Sequence, residues 1–173
     1  MNRRHLLAGL TAVIALAAAR PAVAVDATRA QPELRREKLV IITHDGVRHD
    51  FNVEVATTLD QQEVGLMWRT SVPADGGMLF DWGVPRESQM WMRNTITSLD
   101  MLFIDQAGVI RHIVEDTTPR SLAVIDGTVP VRATLELAAG TAERLDIRVG
   151  DHVEQRIFSA GGATPVAAAT ASP

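Results

Sequence analysis

The fold is read from one stretch: Leu99-Asp100-Met101-Leu102-Phe103-Ile104, then Asp105-Gln106-Ala107-Gly108, then Val109 to Val114. The run Met101 to Ile104 is continuously apolar, as a strand buried on both faces requires. Asp-Gln-Ala-Gly is a turn signal, so the two apolar runs on either side of it predict a β-hairpin. Working outward, Val131, Ala133, Leu135 and Leu137 alternate with Arg132, Thr134 and Glu136. Phe51, Val53 and Val55 alternate with Asp50, Asn52 and Glu54. A period of two sends one row of each strand into a core and the other into water. His152 to Phe158 follows the Gly150-Asp151 turn and is expected to be a closing strand.

Two short helices are expected between the strands. Thr58 with Gln61 three residues on forms a capping-box pattern, which predicts a helix to about Leu66. Thr141 is the expected cap of a second helix over Ala142 to Asp146. Neither approaches the ~12 residues at which an isolated helix becomes marginal, so both must pack on the sheet. Short strands with frequent turns predict a mainly β (α+β) fold, a small barrel-like β-domain with two short helices packed on it.

The chain of 173 residues is enough for one domain. Arg3 and Arg4 precede a 14-residue uncharged run from Leu6 to Ala19, and Ala22-Val23-Ala24 follows. That is the layout of a cleavable secretory signal over residues 1–24, with an apolar run too short to span a bilayer. Arg3-Arg4-His5-Leu6-Leu7, with an Ala-rich apolar run and Arg20 near the cleavage site, resembles a twin-arginine signal. An ordinary basic leader for the general secretory route is the alternative. The expected organisation is a signal peptide over 1–24, a flexible leader over 25–38, one β-rich domain over 39–158 and a disordered tail over 159–173. The location is expected to be periplasmic or secreted, with no transmembrane segment once the signal is removed.

Charge and composition exclude several functions. Taking the three leader arginines from the 17 basic residues leaves 14 against 21 acidic ones, a net charge of −7. That opposes binding to nucleic acid. There is no cysteine, so disulfides and thiol chemistry are excluded. Serines lack a G-x-S-x-G context, the histidines make no paired ligand spacing, and no phosphate-loop signature follows the glycines.

Five stretches carry a family resemblance. They are Gly65-Leu66-Met67-Trp68-Arg69, Gly77-Met78-Leu79-Phe80, Trp91-Met92-Arg93-Asn94-Thr95, Leu99 to Asp105, and Leu135-Glu136-Leu137-Ala138-Ala139-Gly140. In that order, over about Val53 to Val153, the chain closely resembles the bacterial and archaeal family called domain of unknown function 192. The resemblance implies a compact β-barrel-like domain with short helices, often exported, and it implies no activity. Arg93 stands where many relatives have Lys, and Thr97-Ser98 where Ile-Pro is usual. Thr118 to Val129 lacks the Cys and aromatic residues common in relatives.

The densest cluster of chemistry-bearing residues is Trp91 to Thr95. On a strand, Trp91 and Arg93 would share one face, a wall able to hold a small anion, with Arg69 as second donor and Asn94 and Asp100 adding hydrogen bonds. The bland alternative is that Arg69 or Arg93 pairs with Asp100 or Glu136, and that Asn94 satisfies loop backbone. A weaker alternative is a soft-metal site from Met90, Met92 and His112, since thioethers suit Cu(I). Methionines also fill cores. The expected function is an exported accessory or ligand-binding domain, with a small anionic molecule as its expected partner. A structural or protein-interaction module, or an enzyme using Asp100 or Glu115 as acid or base, are the alternatives. No cofactor is implied.

Overall fold

The computed structural model describes residues 26–158; the signal-peptide and tail readings fall outside them. Strands β1 (Arg36–Ile42) and β2 (Arg48–Ala56) form a hairpin, and helix α1 (Leu59–Val64) leads to β3 (Met78–Arg86). Then come β4 (Gln89–Met90), β5 (Leu99–Ile104), β6 (Ile110–Val114), β7 (Ile125–Asp126), β8 (Val131–Ala138), α2 (Thr141–Leu145) and β9 (His152–Glu154). Seven strands make one sheet in the order β6-β5-β8-β3-β2-β1-β9, and β4 pairs with β7 beside it. All its pairs are antiparallel except β2 with β3. The sheet curls until its outermost strands meet. Val109 bridges His152, the Val153 amide donates to the Gly108 carbonyl at 2.7 Å, and the Ile110 amide donates to the Asp151 carbonyl at 2.9 Å. The result is the small barrel-like β-domain with two short helices that the sequence predicts. Among the described residues no helix is long and apolar enough to cross a membrane.

One face of the sheet lines the barrel, and the other lies under irregular chain. Leu39, Phe51, Leu102, Ile104, Leu135 and Leu137 belong to the inner cluster. Met78, Phe80, Met92, Leu99, Met101 and Phe103 belong to the outer one, covered by Leu34, Val72 and Ile125 among others. All six residues of β5 are buried, as its unbroken apolar run requires. A bulge at Arg111 sends Ile110 into the barrel, while His112 faces Phe103 on the outer side.

Helix α1 has its capping box: the Thr58 hydroxyl accepts from the Gln61 amide, and the Gln61 side chain accepts from the Thr58 amide. The helix stops at Val64, short of the expected Leu66, because Gly65 takes φ 50 against the Phe80 ring. Gln62 donates to the carbonyls of Ala56 and Asp81, pinning the helix across the β2–β3 connection. In α2, Thr141 is the first helical residue and not the cap. Gly140 holds the cap position in a left-handed conformation with no side-chain bond. Asp100 supplies the missing acceptor from β5: it takes the Ala142 amide at 2.9 Å and the Gly140 amide at 3.2 Å.

Strand β1 begins at Arg36, three residues before the expected domain boundary at Leu39. Residues read as leader make specific bonds to the domain. Gln31 donates to the carbonyls of Gln61 and Gly65, and the Leu34 amide donates to Glu54 at 2.7 Å. Strand β9 ends at Glu154, so the closing strand is shorter than the stretch to Phe158.

Candidate functional site

The site grows out of strand β8. Its inner row, Ala133, Leu135 and Leu137, faces the barrel as expected. Its outer row, Arg132, Thr134 and Glu136, was expected in water and is buried instead. Two-residue periodicity shows that a strand has two faces; it does not show that α1 and the chain after β3 lie over the second. Two members of that row are satisfied. Arg132 is ion-paired with Asp81. Thr134 meets the Ser88 hydroxyl at 3.1 Å and accepts from the Trp82 indole at 3.2 Å.

Glu136 has no such partner among the described residues. It is 4% exposed, and its neighbours across the ladder are Met78 on β3 and Met101 on β5. Burial pushes its carboxyl from the usual 4.5 up to about 8, so it is predominantly protonated at neutral pH. The close approach of β3 to this strand depends on Gly77: at φ 153, a Cβ there would lie 2.2 Å from the Glu136 carbonyl oxygen.

Glu136 lines a cleft of about 370 Å³ whose walls include Met67, Phe80, Trp82, Met90 and Trp91. The other charged residues lining it are Glu63 on α1 and Arg86 at the end of β3. The Arg86 guanidinium stacks 4.2 Å over the Trp82 ring, which in turn sits 5.6 Å from Phe80. Trp91 is 43% exposed, with Arg93 over its ring at 5.2 Å. Apolar walls with a few placed polar groups are the usual make-up of a small-molecule site.

The residues singled out from sequence are distributed over several places. Trp91 and Met90 line this cleft. Arg69 lines a separate cleft of about 220 Å³ and pairs with buried Glu54 at 3.1 Å. Arg93 does not line that cleft. Asn94 stands in a left-handed conformation and donates to the Ala27 carbonyl at 3.2 Å, satisfying backbone. Asp100 is fully buried and accepts three backbone amides, those of Asp116, Gly140 and Ala142. Glu115 is exposed. Met92 is enclosed in the outer core, and His112 stacks on Phe103 at 5.7 Å. Among the described residues no group of three or more His, Asp or Glu is placed to hold a metal. Glu136 was visible in sequence only as a partner for an arginine. The available signal was a lone acid set between Leu135 and Leu137 in an otherwise acid-free strand.

Residues 40–155 match DUF192, the family described as Uncharacterized ACR. The chain is also similar to two solved structures. One, from Sinorhizobium meliloti 1021, is of a protein suggested to be a transcription regulator. It is 44% identical, covers 74% of this chain and 99% of its own, and superposes with a TM-score of 0.71. The other, from Novosphingobium aromaticivorans DSM 12444, is of a protein of unknown function. It is 33% identical, covers 80% of this chain and 94% of its own, and has a TM-score of 0.68. No curated protein matches the chain.

Proposed function

This chain belongs to the DUF192 family, and we propose that it acts as an exported ligand-binding domain, with its site in the cleft between α1 and the outer face of β8. The observation that carries this reading is Glu136: a buried, unpartnered carboxyl on the wall of an open cleft of aromatic rings and thioethers. A chain that leaves such a group unpaired forgoes stability, and strongly perturbed acids in clefts concentrate at functional sites. Export is supported by the basic start, apolar run and Ala22-Val23-Ala24 of the leader. A small anion at Arg69 and Arg93 is less well supported, since Arg69 is already engaged by Glu54. The regulator role suggested for the S. meliloti protein is not carried over, because the net charge of −7 left after removal of residues 1–24 opposes binding to nucleic acid phosphates.

The test is native mass spectrometry of protein purified from the periplasm, with a parallel thermal-shift screen of small metabolites. Trp91→Ala removes a half-exposed wall residue and should leave the fold intact. The expected result is a bound or stabilising small molecule whose effect the variant loses. Ligands that bind parent and variant alike place the site elsewhere and refute the reading.

A further inference from the structure

We propose that the ligand of this cleft is an organic cation, an amine or guanidine on a compact apolar body, whose charge is met by the Glu136 carboxylate. This rests on the cleft being the binding site, and it names the class of molecule that fits. Phe80, Trp82, Met67 and Met90 line the same cleft as the acid and offer π-faces and polarizable sulfur to the body of such a ligand. A volume of about 370 Å³ admits a small molecule and lies at the low end of ligand pockets.

The charge around the acid is sparse. Its ladder neighbours on β3 and β5 are methionines. On its own strand, Arg132 is taken up by Asp81. Of the elements over the cleft, α1 brings Glu63, a second negative charge, and β3 brings Arg86, held on the Trp82 ring. No ion pair or hydrogen bond joins any of these to Glu136, so the counter-charge that a buried carboxylate needs is missing from the described residues. A cation entering from solvent supplies it and relieves the burial cost at the same moment.

The proton balance follows. In the empty cleft near neutral pH the Glu136 carboxyl holds a proton. An ammonium docks with its own charge intact, the carboxyl proton leaves to solvent, and the ion pair takes its place. One proton is released per ligand bound. Affinity should therefore rise about tenfold per pH unit below about pH 8 and level off above it.

The experiment uses the mature protein and a probe series of primary amines from butylamine to tryptamine, each beside its uncharged alcohol. Binding is measured by calorimetry at pH 6, 7 and 8 in buffers of different ionisation enthalpy. The expected result is that amines bind at least tenfold more tightly than their alcohols, release close to one proton at pH 6, and lose that advantage in Glu136→Gln. Alcohols binding as well as amines, with Trp91→Ala abolishing both, would overturn the cation and leave the cleft standing. Amine binding unchanged in Glu136→Gln also overturns it. If no member binds at all, the cation is refuted while the metabolite screen still decides the cleft.

Discussion

Replacing Glu136 by Gln should stabilise the protein at alkaline pH and change it little at acid pH. Glu136 is raised from 4.5 to about 8 by burial, so the folded state holds its proton more tightly than the unfolded chain. The sign follows from that difference. The contribution is fully present below about pH 4.5, falls as pH rises towards about 8, and is gone above that. At about 1.4 kcal/mol per pH unit, the window from 4.5 to about 8 amounts to roughly 5 kcal/mol of stability lost by the parent. Gln fills nearly the same volume and cannot ionise, so the variant escapes this loss. Any cost of an unsatisfied amide is the same at every pH and shifts the whole profile without tilting it. Acids held below their usual range, such as Glu37 beside Arg156, contribute equally to both proteins and cancel. Urea unfolding at several pH values between about 5 and 9, followed by tryptophan fluorescence, reads the difference directly. The expected outcome is a stability gap that opens in favour of the variant by several kcal/mol across the window. Parallel profiles would refute the assignment of Glu136 as a buried, unpartnered acid.

Four further outcomes are expected. Asp100→Ala leaves three backbone amides, the buried one of Ala142 among them, without their acceptor and should cost roughly 2–4 kcal/mol in urea unfolding; a loss under about 1 kcal/mol would mean that α2 is not capped from β5. Arg69→Met leaves Glu54 buried with only the Leu34 amide and a 3.7 Å contact to Arg36, and should cost about 3 kcal/mol. Most of that should return in the double variant Arg69→Met, Glu54→Met, and no recovery would place the cause outside the pair. N-terminal sequencing of exported protein should find Val25 within a residue or two, and material beginning at Met1 would contradict cleavage. Deleting residues 160–173, which carry no charge and no aromatic side chain, should change stability by less than ~0.5 kcal/mol, and a fall of several degrees in Tm would show that they dock.

What the sequence made legible was whatever local pattern determines. The apolar run of β5 and the turn after it predict a doubly buried strand and its hairpin partner, and the structure has both. The Thr58–Gln61 box is a contact three residues long, so its spacing alone reveals it. What stayed hidden depends on distance along the chain. The acceptor that caps α2 lies 42 residues before the amide it takes, and no local pattern points from Asp100 to Ala142. The single extra residue at Arg111 turns His112 away from the barrel, and nothing in the hydrophobic pattern marks it. The candidate site was legible in the same measure. Trp91 and Met90 stood out and do line the cleft. Arg69 and Arg93 are close in sequence interest but point to different places, because one ends beside β2 and the other lies over Trp91 at the surface.

The acid of the cleft differs from the other buried acids of the fold. Among the described residues, Glu54, Asp100, Glu136 and Asp151 are the buried acids. Glu54 is met by Arg69 and the Leu34 amide. Asp100 is met by three amides, and Asp151 by the Arg148 amide at 2.7 Å. Arg132 on the outer row of β8 is likewise paired, with Asp81. In each case the fold supplies a donor, because an unpaired buried carboxylate costs more than the bonds that would neutralise it. Glu136 departs from that pattern where the outer core opens into a cleft beside exposed Trp91. A purely structural role favours an apolar residue there, since Met78 and Met101 flank it and a leucine or methionine would fill the space without a desolvation cost. The position is therefore best explained by something that reaches it from outside.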